Sequence, residues 1–378
     1  MSNAVIVDYA RSPFTPAKKG ALARVRPDDL AAQVVRALIG RLGVDPALIE
    51  DLILGCAMPE GEQGLNVARL VGLLADLPIS VAGVTVNRFC GSSMQAIHMA
   101  AGQIALGAGE AFLCAGVESM SRVPMMGFNP LPNPALAAKM PAAYIGMGET
   151  SENVAKRYEI DRAEQEAFAA GSHVRAAGAA RRGHFATEIV PITTRDGVVD
   201  ADGCIRPDTT AETLATLKPA FSADGSVTAG TSSPLTDGAA AVFVCSEDFA
   251  ARHRLAPLAR IRAVSVAGCA PEVMGIGPVA ATKKILARAG ITMADIDLVE
   301  LNEAFASQAL ACARELGIPQ EKINLDGGAI ALGHPLGATG ARITGKAASL
   351  LKREGKRYAL ATQCIGGGQG IATLLERV

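Results

Sequence analysis

The sequence has no tryptophan, and phenylalanine and tyrosine together supply only 4% of its residues. It also has no excess of charge, because 36 lysines and arginines face 37 aspartates and glutamates. This balance gives no basic surface for nucleic acid or an anionic membrane, so neither partner is expected. Long apolar runs are missing as well, since glycine, aspartate and proline interrupt stretches such as residues 70–86. We therefore expect no membrane-spanning segment.

The eight cysteines include no C-x-x-C pair, and none has the spacing to a histidine that zinc sites use. We expect free thiols in a reducing compartment and no bound metal. Only three residues precede the apolar segment 4–7, so we expect no signal peptide. A cytoplasmic location fits these features best.

Residues 84–95 have a pattern typical of a strand, a sharp turn and a helix. A β-branched run leads to Cys90, and small residues follow it. At a helix N-terminus, unpaired N–H groups and the positive end of the helix dipole favour a thiolate over a thiol. Cys90 is therefore a candidate nucleophile. The alternative is an inert buried cysteine, which is common in apolar segments.

The beginning and the end of the chain show the same alternation of strands and helices. In the first part, predicted strands cover residues 4–7, 51–54, 84–86 and 111–116, and predicted helices cover 27–42, 66–74 and 93–106. In the last part, predicted strands cover 259–266, 296–300, 323–325 and 358–362, and predicted helices cover 279–289 and 304–316. One shift of 246 positions (297 − 51 and 358 − 112) aligns two separate strands. The pattern predicts a duplicated α/β half, with chance similarity as the alternative.

The middle of the chain differs from both halves. It is rich in Pro, Gly and Met at first, then shows a charged amphipathic helix over residues 152–182, and is turn-rich after that. We expect three units: a first half at 1–117, completed by about 235–252, an inserted loop domain at 118–234, and a second half at 253–378. Inserted loops of this size commonly supply binding contacts.

Three segments of the second half follow predicted strands: residues 302–306, 333–337 and 364–370. Open α/β sheets carry their sites at the carboxyl ends of strands. His334 lies in a Gly-rich loop that corresponds to the position of Cys90 in the first half. A lone histidine is more often structural, but a duplicated fold would bring the two loops together, with a strand-end cysteine in each half. These residues together indicate a catalytic site.

Over nearly its whole length the sequence resembles the thiolase family. Four motifs carry the resemblance: residues 87–92 (NRFCGS), 302–306 (NEAFA), 333–335 (GHP) and 364–368 (CIGGG). The resemblance implies a five-layer α-β-α-β-α fold of two duplicated halves with an inserted loop domain, which agrees with the internal repeat.

The resemblance also implies roles for five residues. Cys90 would be the nucleophile that takes the acyl group, His334 the base that activates it, and Cys364 the acid and base at the substrate α-carbon. One oxyanion would be stabilised by His334 and a water held by Asn302, and the other by the N–H groups of Cys90 and Gly366. From the residues alone, Asn302 could equally cap the helix that follows it.

Coenzyme A is implied as a substrate, with no permanently bound cofactor. The implied CoA contacts lie in the inserted domain: Arg206, Leu217, Ala229 and Ser233. The implied lining of the acyl path is Met147, Met274, Ala304 and Phe305. Gly146 departs from the pattern, because members that form acetoacetyl-CoA usually have histidine there.

The degradative branch of the family, which cleaves 3-ketoacyl-CoA in fatty-acid β-oxidation, is therefore our first hypothesis. Alternatives are condensation to acetoacetyl-CoA, a ketoacyl synthase of the same fold, and a non-catalytic carrier or scaffold. Cys364 and Asn302 argue against the synthase.

We expect a homodimer or homotetramer, because the predicted strand near residues 82–85 needs a covered edge. A hydroxyacyl-CoA dehydrogenase/enoyl-CoA hydratase subunit is a candidate partner.

Overall fold

The computed structural model describes residues 2–378. Its strands are β1 (Ala4–Arg11), β2 (Thr15–Pro16), β3 (Asp51–Gly55), β4 (Ala82–Val86), β5 (Ala111–Ser119), β6 (Ile192–Thr194), β7 (Gly197–Val199), β8 (Thr236–Ser246), β9 (Ala259–Gly268), β10 (Leu298–Leu301), β11 (Tyr358–Ile365) and β12 (Gln369–Glu376). Its α-helices are α1 (Pro27–Leu42), α2 (Val67–Leu74), α3 (Ser92–Leu106), α4 (Pro134–Lys139), α5 (Met147–Arg157), α6 (Arg162–Arg181), α7 (Ala211–Ala215), α8 (Glu247–Arg252), α9 (Gly277–Ala289), α10 (Ala306–Leu316), α11 (Ala329–Leu332) and α12 (Leu336–Glu354).

Within these residues the strands, apart from the β6–β7 hairpin, form one ten-stranded sheet in the order β10-β11-β12-β9-β1-β8-β5-β3-β4, with β2 beside β8. The sheet has two parts, because β1 and β9 pair only at Val5 with Arg260 and at Ile6 with Ala259. We call β1, β8, β5, β3 and β4 the first half-sheet, and β9, β12, β11 and β10 the second half-sheet.

Buried side chains separate these half-sheets into layers of helices and strands. The helices α1 and α2 pack on the outer face of the first half-sheet, where Leu38 and Val71 join one core. The helices α3 and α12 lie between the half-sheets, since Ile97 and Ile343 share a core with strands of both. The helices α9 and α10 cover the other face of the second half-sheet. The order is α-β-α-β-α, and the expected five-layer fold is confirmed.

The internal repeat is visible in the strand register. In the first half Leu52 pairs in parallel with Leu113, and in the second half Leu298 pairs in parallel with Ala359. Each residue of the second pair lies 246 positions after its counterpart, which is the shift found in the sequence. Chance similarity does not explain a shared register, so the halves are structural duplicates.

Two predicted elements were wrong. The predicted strand at 323–325 is reduced to a single bridge between Ile323 and Val299. The reason is Asn324, which has a backbone φ of 49° and pairs with the backbone of Leu301 through its side chain, at 2.8 and 2.9 Å. The single helix predicted at 152–182 is two helices, α5 and α6, because Glu159 between them has a φ of 51°.

Buried ion pairs anchor the inserted region to both halves. Arg11 of β1 pairs with Glu188 at 2.9 Å and with Asp202 at 2.7 Å. Glu188 also pairs with Lys346 of α12 at 3.0 Å. Because these charges are buried, each depends on its partners, and the loss of one partner would leave a charge uncompensated. Across residues 2–378, none of the helices is both long and apolar enough to span a bilayer.

Candidate active site

A tight turn carries Cys90 from the end of β4 to the start of α3. The turn is closed by side chains: the Oδ1 of Asn87 accepts from the N–H of Phe89 at 2.8 Å, and the hydroxyl of Ser92 donates to the carbonyl of Phe89 at 2.6 Å. Phe89 itself has a φ of 45°, in the left-handed region. The sharp turn predicted between strand and helix is therefore present, with Cys90 two residues before the helix.

Two backbone N–H groups and burial act on the thiol of Cys90 in opposite directions. The N–H of Gly366 and the N–H of Cys90 itself lower the pKa of this thiol, but burial acts more strongly and raises the pKa to about 11, with the charge of Glu118 adding to the rise. The expectation that the helix terminus favours a thiolate is thus wrong for the free protein, because desolvation outweighs the two N–H groups. The two N–H groups implied as an oxyanion site thus both act on this sulfur, and their role as oxyanion donors stays a prediction.

His334 lies in the loop between α11 and α12, and its neighbours determine its tautomer. The hydroxyl of Thr339 donates to the carbonyl of Pro335 at 3.1 Å, so its oxygen accepts from Nδ1–H of His334 at 2.7 Å. The Nε2 is then the unprotonated nitrogen. Burial, with the positive charge of Arg342, lowers the pKa of His334 to about 3. The imidazole is neutral and can accept a proton at Nε2.

Asn302 follows β10 and lies beside His334. Its Nδ2 is 3.4 Å from the Nε2 of His334. Its Oδ1 is buried and has no hydrogen-bond partner in the described part of the chain. The helix predicted to start at 304 begins instead at Ala306, after Phe305 in an extended conformation. Asn302 is therefore not the helix cap, and its side chain faces the site.

Cys364 lies near the end of β11 and is 1% exposed. Burial raises the pKa of its thiol, and the proximity of Cys90 raises it further. The residues implied to line the acyl path form one apolar cluster around it, together with Val227: Met147, Met274, Ala304 and Phe305. The structure thus brings both candidate cysteines and the apolar path together.

The implied CoA contacts lie in a neighbouring part of the inserted region. Arg206 and Ala229 line the same narrow cavity. Leu217 lies against Gly230, where an added Cβ would be 2.7 Å from its Cδ1. The N–H of Ser233 donates to the carbonyl of Ala304 at 3.0 Å, which connects this segment to the acyl path.

Glu118, at the end of β5, is a buried site residue that the sequence did not reveal. One carboxylate oxygen accepts from the N–H groups of Ala57 and Gly337, at 2.8 and 2.9 Å, and the other accepts from the N–H of Met58 at 3.1 Å and from Gln63 at 2.8 Å. The carboxylate therefore joins the loop after β3 to the first turn of α12. Its only sequence signal was its position at a predicted strand end.

Gln363 is a second residue that sequence reasoning missed. Its side-chain amide donates to the carbonyl of Cys90. The side chain is fully buried. Since Gln363 precedes Cys364 on β11, this bond links the strand of one candidate cysteine to the backbone of the other.

The arrangement as a whole suits acyl transfer. It combines a thiol with two N–H groups at its sulfur, a neutral imidazole, a buried amide and a second thiol. A nucleophile, a base and oxyanion donors are the groups that covalent acyl transfer requires. Among residues 2–378 no cluster of three or more His, Cys, Asp or Glu side chains could hold a metal ion.

Comparisons with known proteins agree with this chemistry. The chain matches the family models described as thiolase, N-terminal domain, over residues 4–248 and thiolase, C-terminal domain, over residues 255–377. It is 51% identical to a 3-ketoacyl-CoA thiolase of Bacillus subtilis and 49% identical to one of Escherichia coli O139:H28, in both cases over 100% of both chains. A solved structure of the Bacillus anthracis acetyl-CoA acetyltransferase matches with a TM-score of 0.92 and 42% identity, covering 100% of this chain and 99% of that one.

Proposed function

The chain belongs to the thiolase family, and from this premise we propose that it cleaves 3-ketoacyl-CoA with CoA, giving acetyl-CoA and an acyl-CoA shortened by two carbons. The observation that carries the proposal is the apolar cluster that surrounds Cys364, close to Cys90, with the Nδ2 of Asn302 3.4 Å from the Nε2 of His334. Full-length relatives named 3-ketoacyl-CoA thiolase support the choice of substrate.

In the first half-reaction Cys90 attacks C3 of the substrate, and its proton passes to Nε2 of His334. The developing oxyanion at C3 accepts from the N–H groups of Cys90 and Gly366. The C2–C3 bond then breaks, and its electron pair forms the enolate of acetyl-CoA. The enolate oxygen is stabilised by the protonated His334 and by a water molecule that Asn302 holds. The thiol of Cys364 gives its proton to C2, and acetyl-CoA leaves.

In the second half-reaction the thiolate of Cys364 removes the proton from the thiol of the incoming CoA. The CoA thiolate attacks the thioester carbon on Cys90, with the same two N–H groups around the oxyanion. The sulfur of Cys90 leaves and recovers its proton from His334. CoA is thus a substrate, held by Arg206, Leu217, Ala229 and Ser233, and no cofactor is bound permanently.

We further propose the degradative role, in fatty-acid β-oxidation in the cytoplasm. Gly146 supports it, because a Cβ at this position would meet nothing closer than Glu149, at 3.8 Å, so the start of α5 beside Met147 is open. Met147 and Met274 are flexible side chains that can adapt to additional methylenes. The second candidate is acetoacetyl-CoA formation. It is favoured by the similarity of this chain to the solved structure of an acetyl-CoA acetyltransferase.

The assay that tests the function measures CoA-dependent cleavage of 3-ketoacyl-CoA substrates with four to eight carbons. Each buried methylene contributes about 0.8 kcal/mol, so burial of only one or two of the four added methylenes in the transition state should raise kcat/KM several-fold from 3-ketobutyryl-CoA to 3-ketooctanoyl-CoA. Cys90→Ala should retain less than about a hundredth of the wild-type rate. A flat or falling profile would favour the acetoacetyl-CoA alternative. The absence of cleavage for every substrate would refute the proposal.

A further inference from the structure

Phe89, the residue before the nucleophile, combines a costly backbone conformation with an exposed ring. Its φ of 45° is unusual for a bulky residue. Its side chain is 39% exposed, so burial of the ring does not compensate for this strain. Strained residues of this kind occur at functional sites, where the surrounding structure holds them in place.

Hydrogen bonds of the turn, and not packing of the ring, hold Phe89 in this conformation. The N–H of Phe89 donates to Asn87, and its carbonyl accepts from both the N–H and the hydroxyl of Ser92, at 3.1 and 2.6 Å. The hydroxyl oxygen of Ser92 also accepts from the N–H of Arg88 at 2.9 Å. The turn therefore presents the ring at a fixed position on the surface of the site.

The ring of Phe89 lies beside Gly366, as does the side chain of Met147. A Cβ added to Gly366 would be 3.7 Å from the Cδ2 of Phe89 and 3.6 Å from the Sδ of Met147. Gly366 thus has an aromatic ring and a thioether as close neighbours. The N–H of the same glycine lowers the pKa of the Cys90 thiol, which places it near that sulfur.

These positions constrain the path of the acyl chain. In the acyl-enzyme the thioester carbon is bonded to the sulfur of Cys90, and its oxygen accepts from the N–H of Gly366. The alkyl chain is attached to that same carbon, so its first methylenes start beside Gly366. The ring of Phe89 and the side chain of Met147 are apolar surfaces beside this glycine.

We propose that Phe89 is a specificity-determining residue, whose ring contacts the acyl chain of the substrate next to Met147. The proposal rests on the proposed cleavage of 3-ketoacyl-CoA. It adds a contact that makes kcat/KM depend on the length of the acyl chain. The strained turn then has a function, since it holds the ring where the chain leaves the oxyanion site. The remaining exposure of the ring is the surface that the chain covers.

The test compares kcat/KM for 3-ketooctanoyl-CoA with that for 3-ketobutyryl-CoA in Phe89→Ala and Phe89→Gly. Both variants lack the ring, but only glycine adopts a φ of 45° without strain. If the ring contacts the chain, the C8-to-C4 ratio should fall about three-fold or more in both, the order of one or two lost methylene contacts. Phe128→Ala, which removes an equally large ring that is 59% exposed, should leave the ratio unchanged.

Two outcomes would overturn the inference. A ratio that falls in Phe89→Ala but not in Phe89→Gly would assign the effect to the backbone of the turn. An unchanged ratio in both variants, accompanied by weaker self-association in sedimentation, would show that the ring is covered by a second copy of the chain. Failure of the proposed function is distinct from both, because the wild-type protein would then not cleave either substrate.

Discussion

At the scale of single residues, burial keeps both reacting groups of the first step uncharged. It raises the pKa of Cys90 to about 11 and lowers that of His334 to about 3. Neighbouring charges act in the same direction, with Glu118 on the side of the thiol and Arg342 on the side of the imidazole. A thiolate–imidazolium pair is therefore disfavoured in the free protein, and the proton moves when the thiol attacks the substrate.

This electrostatic state predicts how Cys90 reacts with an alkylating agent in the absence of substrate. Only the thiolate reacts, and well below a raised pKa the thiolate fraction grows about ten-fold per pH unit. The rate of modification by iodoacetamide, followed at Cys90 by mass spectrometry, should therefore rise steadily from pH 7 to pH 9. Cys90→Ala serves as the blank. A rate that reaches its plateau below pH 8 would contradict the neutral state.

At the scale of secondary-structure elements, the site is an assembly of strand ends and helix starts from both halves. Glu118 makes the central connection, because its carboxylate accepts N–H groups from the loop after β3 and from the first turn of α12. An acceptor at a helix N-terminus satisfies an amide that lacks a partner within the helix. The loop after β3 also accepts a hydrogen bond from the Nδ2 of Asn87 at the Ala57 carbonyl, at 3.0 Å, so Glu118 connects the start of α12 to the loop that supports the Cys90 turn.

Glu118→Gln tests this connection with a side chain of nearly the same size. In the wild-type protein both carboxylate oxygens of Glu118 accept hydrogen bonds. The glutamine amide has only one acceptor oxygen, so its NH₂ group must face N–H donors, and those buried groups are left unpaired. The free energy of unfolding should fall by about 2–4 kcal/mol, measured by urea denaturation, and kcat should fall with it. Glu110→Gln is the control, because Glu110 is half exposed and pairs with an exposed arginine. Equal losses in the two variants would contradict the role of Glu118.

The sequence predicted the elements better than the contacts between them. Strand and helix periodicity, together with one shift of 246 positions, were sufficient to predict the duplicated halves and to place the motifs at strand ends. Asn324 could not be anticipated, because its side chain replaces backbone pairing only in the folded chain. Glu118 and Gln363 were missed for a similar reason, since their partners lie far away in the sequence. The direction of the Cys90 pKa shift depends on burial, which the pattern of residues does not specify.

At the scale of the whole molecule, one edge of the ten-stranded sheet ends at β4. Within residues 2–378 no strand pairs with the far side of β4, and Ala82 at its start is exposed. Two large apolar side chains nearby are also in solvent, with Leu65 88% and Ile79 77% exposed. An open edge beside exposed apolar residues is a surface that proteins normally cover.

A second copy of the chain is the partner that this edge predicts, because a strand can pair with itself across a twofold axis. We therefore expect a homodimer, in preference to a tetramer, in sedimentation velocity at micromolar concentration. Ile79→Asp should weaken the dimer at least ten-fold, since a charge would be buried at the interface, while the monomer keeps its fold because residue 79 is exposed there. Val198→Asp, at a 64% exposed valine of the β6–β7 hairpin, is the matched control and should remain dimeric. A wild-type protein that sediments as a monomer, or equal dissociation of both variants, would show that the β4 edge is not the interface.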